Sequence, residues 1–124
     1  MTSVGMLVLE YCGVNRFELN VMADGILRNL PKVGAGFDIY YYYYATLAMF
    51  QFGGEKWKTW NKALMETLTS TQKQGGPLDG TVQDIDGSWD YAQDKWGKGA
   101  GRVYQTAMSA FCLEVYYRYE SVTH

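Results

Sequence analysis

Histidine is almost absent: His124 is the single one, and it closes the sequence. That removes the usual general base and the commonest zinc ligand from the interior of the chain. Only two cysteines occur, Cys12 and Cys112, far apart and each inside an apolar run. Neither has metal-ligand spacing, so a reduced, buried pair is the expectation. A run long enough to span a bilayer is missing too. The longest apolar stretch, 39–52, falls short of the roughly 18–20 residues a transmembrane helix needs. No basic excess exists, with 11 Lys and Arg against 13 Asp and Glu. Interspersed charge of this kind argues against nucleic-acid binding. The apolar start after Met1 lacks a basic leader, so no signal peptide is expected. A soluble chain, cytoplasmic rather than secreted, is the reading, and its 124 residues fit a single domain.

What is present is helical patterning of two kinds. The stretch 3–12 carries apolar residues on every face, with a strand as the competing reading for so short a run. From Arg16 to Leu30, Leu19, Met22, Ile26 and Leu30 recur at spacings of three and four, an amphipathic helix that Pro31 ends. Tyr40 to Tyr44 are five consecutive tyrosines running into Ala45-Thr46-Leu47-Ala48-Met49-Phe50 and stopped by Gly53-Gly54. Tyrosine favours strands, but the continuation and the glycine stop predict a helix, apolar almost all round. From Glu55 to Gln72 the chain is amphipathic again, with Trp57, Trp60, Leu64 and Leu68 on one face. A long Gly- and Asp-rich loop covers 73–101, and 102–119 reads as a third apolar helix.

The order is therefore buried, amphipathic, buried, amphipathic, buried. Inner helices covered on both sides and outer helices with one wet face explain it, and a two-layer α/α arrangement supplies both. Thr2, Thr46 and Thr106 each lead into one of the apolar helices, and Tyr44-Ala45-Thr46 is matched by Tyr104-Gln105-Thr106. A period in that range suits a repeated helix pair.

Asp86-Gly87-Ser88-Trp89, then Trp96-Gly97, then Tyr104-x-Thr106-Ala107, resembles the repeat of squalene and oxidosqualene cyclases and protein prenyltransferases. Leu68 to Gln72 matches the Leu-x-x-x-Gln part of the cyclase repeat, and Gly87-Ser88-Trp89 its Gly-x-Trp; the fourteen residues between Gln72 and Gly87 make Gln83 a rival for the glutamine. The segments 42–48, 53–61 and 113–119 look like the C-terminal end of bacterial prenyltransferase/squalene-oxidase-repeat proteins. The resemblance implies an all-α chain: a segment of an (α/α)-toroid of about five helices, with Gln72, Gly87, Trp89, Asp90 and Arg102 as its structural motif. It implies further repeats as neighbours, hence self-association or a missing N-terminal part as partner, and an apolar or isoprenoid molecule as ligand. No cofactor is expected; the prenyltransferases bind zinc through Asp, Cys and His, but with His124 the last residue and no ligand near either cysteine, no metal is expected here.

The chemistry of those families is incomplete here. Cyclases that protonate a polyene use Asp-x-Asp-Asp, and this chain offers Asp84-Ile85-Asp86-Gly87. Asp84 and Asp86 are thus the catalytic candidates, with a structural turn the favoured reading. Asp84, Asp86, Ser88 and Asp90 alternate as calcium ligands do, but Trp89 and Lys95 stand where an EF-hand has glycine and glutamate. Tyr40, Tyr41, Tyr44 and Tyr104 are the candidates for aromatic cavity walls, where cation–π attraction would act; packing is the favoured role. A structural or interaction module is the leading expectation. The alternatives are the wall of an isoprenoid enzyme's cavity and a binder of hydrophobic ligands.

Overall fold

The computed structural model describes residues 2–75 and 86–118. These residues form five helices and no strand: α1 (Thr2–Tyr11), α2 (Arg16–Leu27), α3 (Ile39–Phe52), α4 (Gly54–Thr71) and α5 (Gly97–Arg118). Gln83, Asp84 and His124 lie outside the described residues.

Local chemistry sets the boundaries. Asn15 caps α2 by accepting the Glu18 N–H at 3.1 Å, and Asp38 caps α3 by accepting the Tyr41 N–H at 3.0 Å. The second helix stops at Leu27, short of the expected Leu30. Leu30 precedes proline and is disfavoured in helical geometry, and the Asn29 N–H closes a tighter turn on Ile26 O at 3.0 Å. One residue, Gly53, makes the corner between α3 and α4. Its N–H bonds Met49 O, and its φ of 75° with ψ of −164° turns the chain directly into the next helix, a conformation open to glycine alone. Gly101, with φ 83° and ψ −177°, breaks α5 in the same way. Residues 97–100 form a helical turn inside the expected loop, and 102–118 are the long apolar part.

α3 touches every other helix. α1 and α5 pack along it, α2 lies against α1 and α3, and α4 lies against α3 and α2. The row α1, α3, α5 is thus backed by α2 and α4. Ile39, Met49, Trp60, Leu64 and Leu68 are completely buried where the two layers meet, and burial of that apolar area is the main driving force.

Only α3 is buried nearly all round. α1 leaves Val8 54% and Tyr11 59% exposed, and α5 leaves Val103 85% and Tyr117 84% exposed. An all-round apolar sequence records what a helix can cover. It does not record how many neighbours the helix has, and α3 alone has them on every side. The cysteines differ from expectation as well. Cys112 is buried, but Cys12 is exposed, because it follows the end of α1 at the turn made with Gly13.

Candidate functional site

The residues singled out around Trp89 come together at the joint between α4 and α5. Gln72 Nε2 donates to Gly87 O at 2.9 Å. Two backbone bonds tie the same strands of chain, Lys73 N to Ser88 O at 2.8 Å and Gly87 N to Lys73 O at 2.7 Å. Gly87 has φ 76°, which a side chain would strain. Trp89 is buried; its indole N–H donates to Leu68 O at 2.8 Å, and its backbone N–H donates to Thr106 Oγ1 at 3.2 Å. Arg102 donates to Ser88 Oγ at 3.0 Å and stands 3.9 Å from the Asp90 carboxylate. Gln72, Gly87, Trp89, Asp90 and Arg102 therefore form one bonded unit.

The described members of the acidic run are bonded by the chain itself. Asp86 is exposed and accepts the Gly75 N–H. Asp90 accepts the Ala92 N–H at 2.8 Å, and Ser88 accepts from Arg102. Asp84 lies outside the described residues. Among the described residues, no three His, Cys, Asp or Glu side chains group as a metal site.

Asp94, which the sequence reading passed over, has the larger structural part. It is buried; one carboxylate oxygen accepts the Ile39 N–H at 2.7 Å and the other the Trp96 N–H at 2.9 Å. Lys95 N donates to Phe37 O at 2.9 Å, so 94–96 staples the start of α3. The local half of this was legible, since an aspartate two residues before a turn amide is an Asx turn. The half that reaches Ile39 has no local signal.

The tyrosines divide by face. Tyr42 is buried, and its hydroxyl accepts the Lys32 N–H at 3.4 Å. Tyr41 and Tyr42 meet Trp60 edge-on, with centroids 6.4 and 6.3 Å away. Tyr40 and Tyr44 pair edge-on at 4.9 Å, with Tyr40 exposed. Tyr104 packs at the rim of the core, where burial first and then Asp94, Asp38 and Tyr40 raise its hydroxyl above the usual range. Burial raises Tyr41 likewise, so both phenols stay protonated at neutral pH and serve as neutral hydrogen-bonding groups. Tyr41 packs toward Trp60, whereas Tyr40 pairs with Tyr44, so the four candidates do not share one aromatic partner.

Two hollows remain. One, of about 680 Å³, lies under Tyr41 and Tyr42 with Arg28, Lys32 and Asp38 on its lining. The other, of about 420 Å³, lies beside Trp89, with Phe37, Gln72, Asp90, Asp94 and Gln105 on its walls. Among the described residues, buried oxygens without a hydrogen-bond partner are both of Glu10, Gln105 Oε1 and Ser109 Oγ. Burial pushes the Glu10 carboxyl up to about 8, against a smaller lowering by Arg16.

The fold and the joint define an all-helical chain in two layers. No protein-family model, curated protein or solved structure matches it.

Proposed function

We propose that this chain is a helical-repeat module of the α/α-toroid kind, of the terpenoid cyclase and prenyltransferase-like type, that works through its surfaces and carries no catalysis of its own. The observation behind this is apolar surface left open on three helices, α1, α2 and α5. Val8, Tyr11, Phe17 and Val21 are exposed on α1 and α2, and Val103 and Tyr117 on α5. Repeat units expose such faces where a neighbour would sit, and exposed apolar patches mark interaction surfaces. The Asp86 carboxylate, the remaining described acid candidate, sits in an exposed turn rather than in a hollow where a polyene could be held against it.

Light scattering across a wide concentration range tests this. The mass should rise with concentration, and Phe17→Asp and Tyr117→Asp should lower it without unfolding the chain. A monodisperse monomer at every concentration would overturn the proposal. So would a large thermal stabilisation by isoprenoid diphosphates or squalene analogues, which would mark an isoprenoid site instead.

A further inference from the structure

The two open flanks match one another through the sequence repeat. Thr2, Leu9 and Glu10 recur in the same order and spacing as Thr106, Leu113 and Glu114, and Thr46 heads the copy between them. Aligned on those threonines, α1, α3 and α5 are three copies of one helix. The way α3 holds α5 then shows what the outer copies lack.

α3 meets α5 through Tyr43 against Phe111, with ring centroids 6.3 Å apart, and Phe50 against Tyr116 at 6.4 Å. The positions of α5 that match Tyr43 and Phe50 are Val103, 85% exposed, and the partly open Ala110. α5 therefore repeats the face that α3 packs against it, and leaves that face uncovered. The other side of the contact matches as well. α5 packs on α3 and buries Cys112 and Val115; the matching positions of α1 are Val8 and Tyr11, 54% and 59% exposed. Phe111 and Tyr116 correspond to the half-buried Leu7 and the exposed Cys12. Charge favours the meeting of the two faces. Glu114 and Arg118 are exposed on α5, and Arg16 and Glu18 are exposed just past the end of α1, so each side offers one acid and one base.

We infer that the occupant of each open flank is a second copy of this chain, docked head to tail. The Val103 and Ala110 face of α5 in one copy covers the Val8 and Tyr11 face of α1 in the next, and the row α1, α3, α5 continues from chain to chain. This rests on the reading of the chain as a helical-repeat module, and adds to it a partner, a register and a polarity. The contact joins two different surfaces, so each copy uses both at once. The assembly is a ring or an open filament according to whether its rotation closes, and a two-fold dimer is not its product.

Two charged variants at exposed positions test the polarity by light scattering, with circular dichroism confirming that each keeps its helices. Val8→Asp and Val103→Asp should each stay monomeric where the wild type associates, because every contact then meets a blocked face. Mixed in equal amounts they should form dimers and nothing larger, since one unblocked face of each kind survives. A mixture that stays monomeric or grows past dimers, or single variants that associate as the wild type does, would overturn the inference. Thiol cross-linking carries the test should either variant unfold. Copies with Ala110→Cys and Cys12→Ser, oxidised together with wild type, should give mixed dimers in large excess over same-kind dimers, because the register sets position 110 against Cys12 of the next copy. Mass spectrometry tells the two kinds apart. Same-kind dimers in excess, or no link at all in an associating sample, would overturn the inference alone. A monomer at every concentration would remove it together with the module reading beneath it.

Discussion

Trp60 donates its indole N–H to Thr46 Oγ1 at 2.9 Å, and Thr46 passes its own proton to Tyr42 O at 2.6 Å. Thr106, at the matching position of α5, accepts the backbone N–H of Trp89 at 3.2 Å. Two threonines of the sequence repeat thus do related work, each taking a tryptophan donor where the two layers meet. Thr2, the third, is exposed at the start of α1.

Thr46→Val keeps the shape of the side chain and removes the acceptor. The Trp60 indole N–H is then buried without a partner, which costs about 1–3 kcal/mol. Urea unfolding followed by helical circular dichroism reads the loss. Adding Trp60→Phe should cost less in the valine background than in wild type, because its donor is already orphaned there. Equal costs in both backgrounds would contradict the bond.

Asp94 and Asp86 separate structural from decorative acid. Asp94→Ala strips the Ile39 and Trp96 amides of their acceptor and should cost about 2 kcal/mol or more. Asp86→Ala, at an exposed turn, should stay within about 0.5 kcal/mol of wild type. The same unfolding measurement checks both, and the reverse order would refute the assignment of Asp94 as the staple of α3.

Glu10 gives stability a pH dependence of stated sign. Its folded pKa of about 8 lies above the ordinary 4.5, so between those values the native state holds a proton that the unfolded chain has released. The Glu10 contribution is fully present below about pH 4.5, is lost as pH rises toward 8, and stays lost above it. The slope is at most about 1.4 kcal/mol per pH unit. Glu10→Gln should match wild type in acid and grow progressively more stable than it up to pH 8. Parallel stability curves would show that Glu10 titrates normally in the fold.

The two thiols should react unequally. Cys12 is exposed and Cys112 buried, and burial pushes the Cys112 thiol up, away from its reactive thiolate. Ellman's reagent should count one thiol in the native chain and a second in urea. Rapid labelling of both without denaturant would contradict the buried position.

The helices were legible because their ends carry local signals, Pro31 and Gly53 among them; the caps Asn15 and Asp38 emerged from the structure. Trp89 was legible because a large aromatic next to a glycine turn must be packed, and Gln72 only through the resemblance to the cyclase repeat, which left Gln83 as its rival. The staple made by Asp94 was not, since it caps a helix 55 residues earlier in the chain, and no window of sequence spans that distance. The facing of Tyr40 to Tyr44 was hidden for a related reason. Five identical residues contain no periodicity, so the neighbours decide the faces: Trp60 takes Tyr41 and Tyr42, and Phe111 lies 6.3 Å from Tyr43. The open flanks of α1 and α5 depend on helices that are not their sequence neighbours.

α5 leans on α3, and α1 on α3 and α2, so each is held by fewer neighbours than α3 and can loosen while the rest stays assembled. Amide hydrogens should therefore exchange in a graded order, slowest along α3 and fastest along α1 and the far half of α5. With Glu10 buried on α1, raising the pH toward 8 should speed exchange at that end by more than the general base catalysis that every amide feels. The chain would then behave as a central helix with two detachable flanks, one of them released by base.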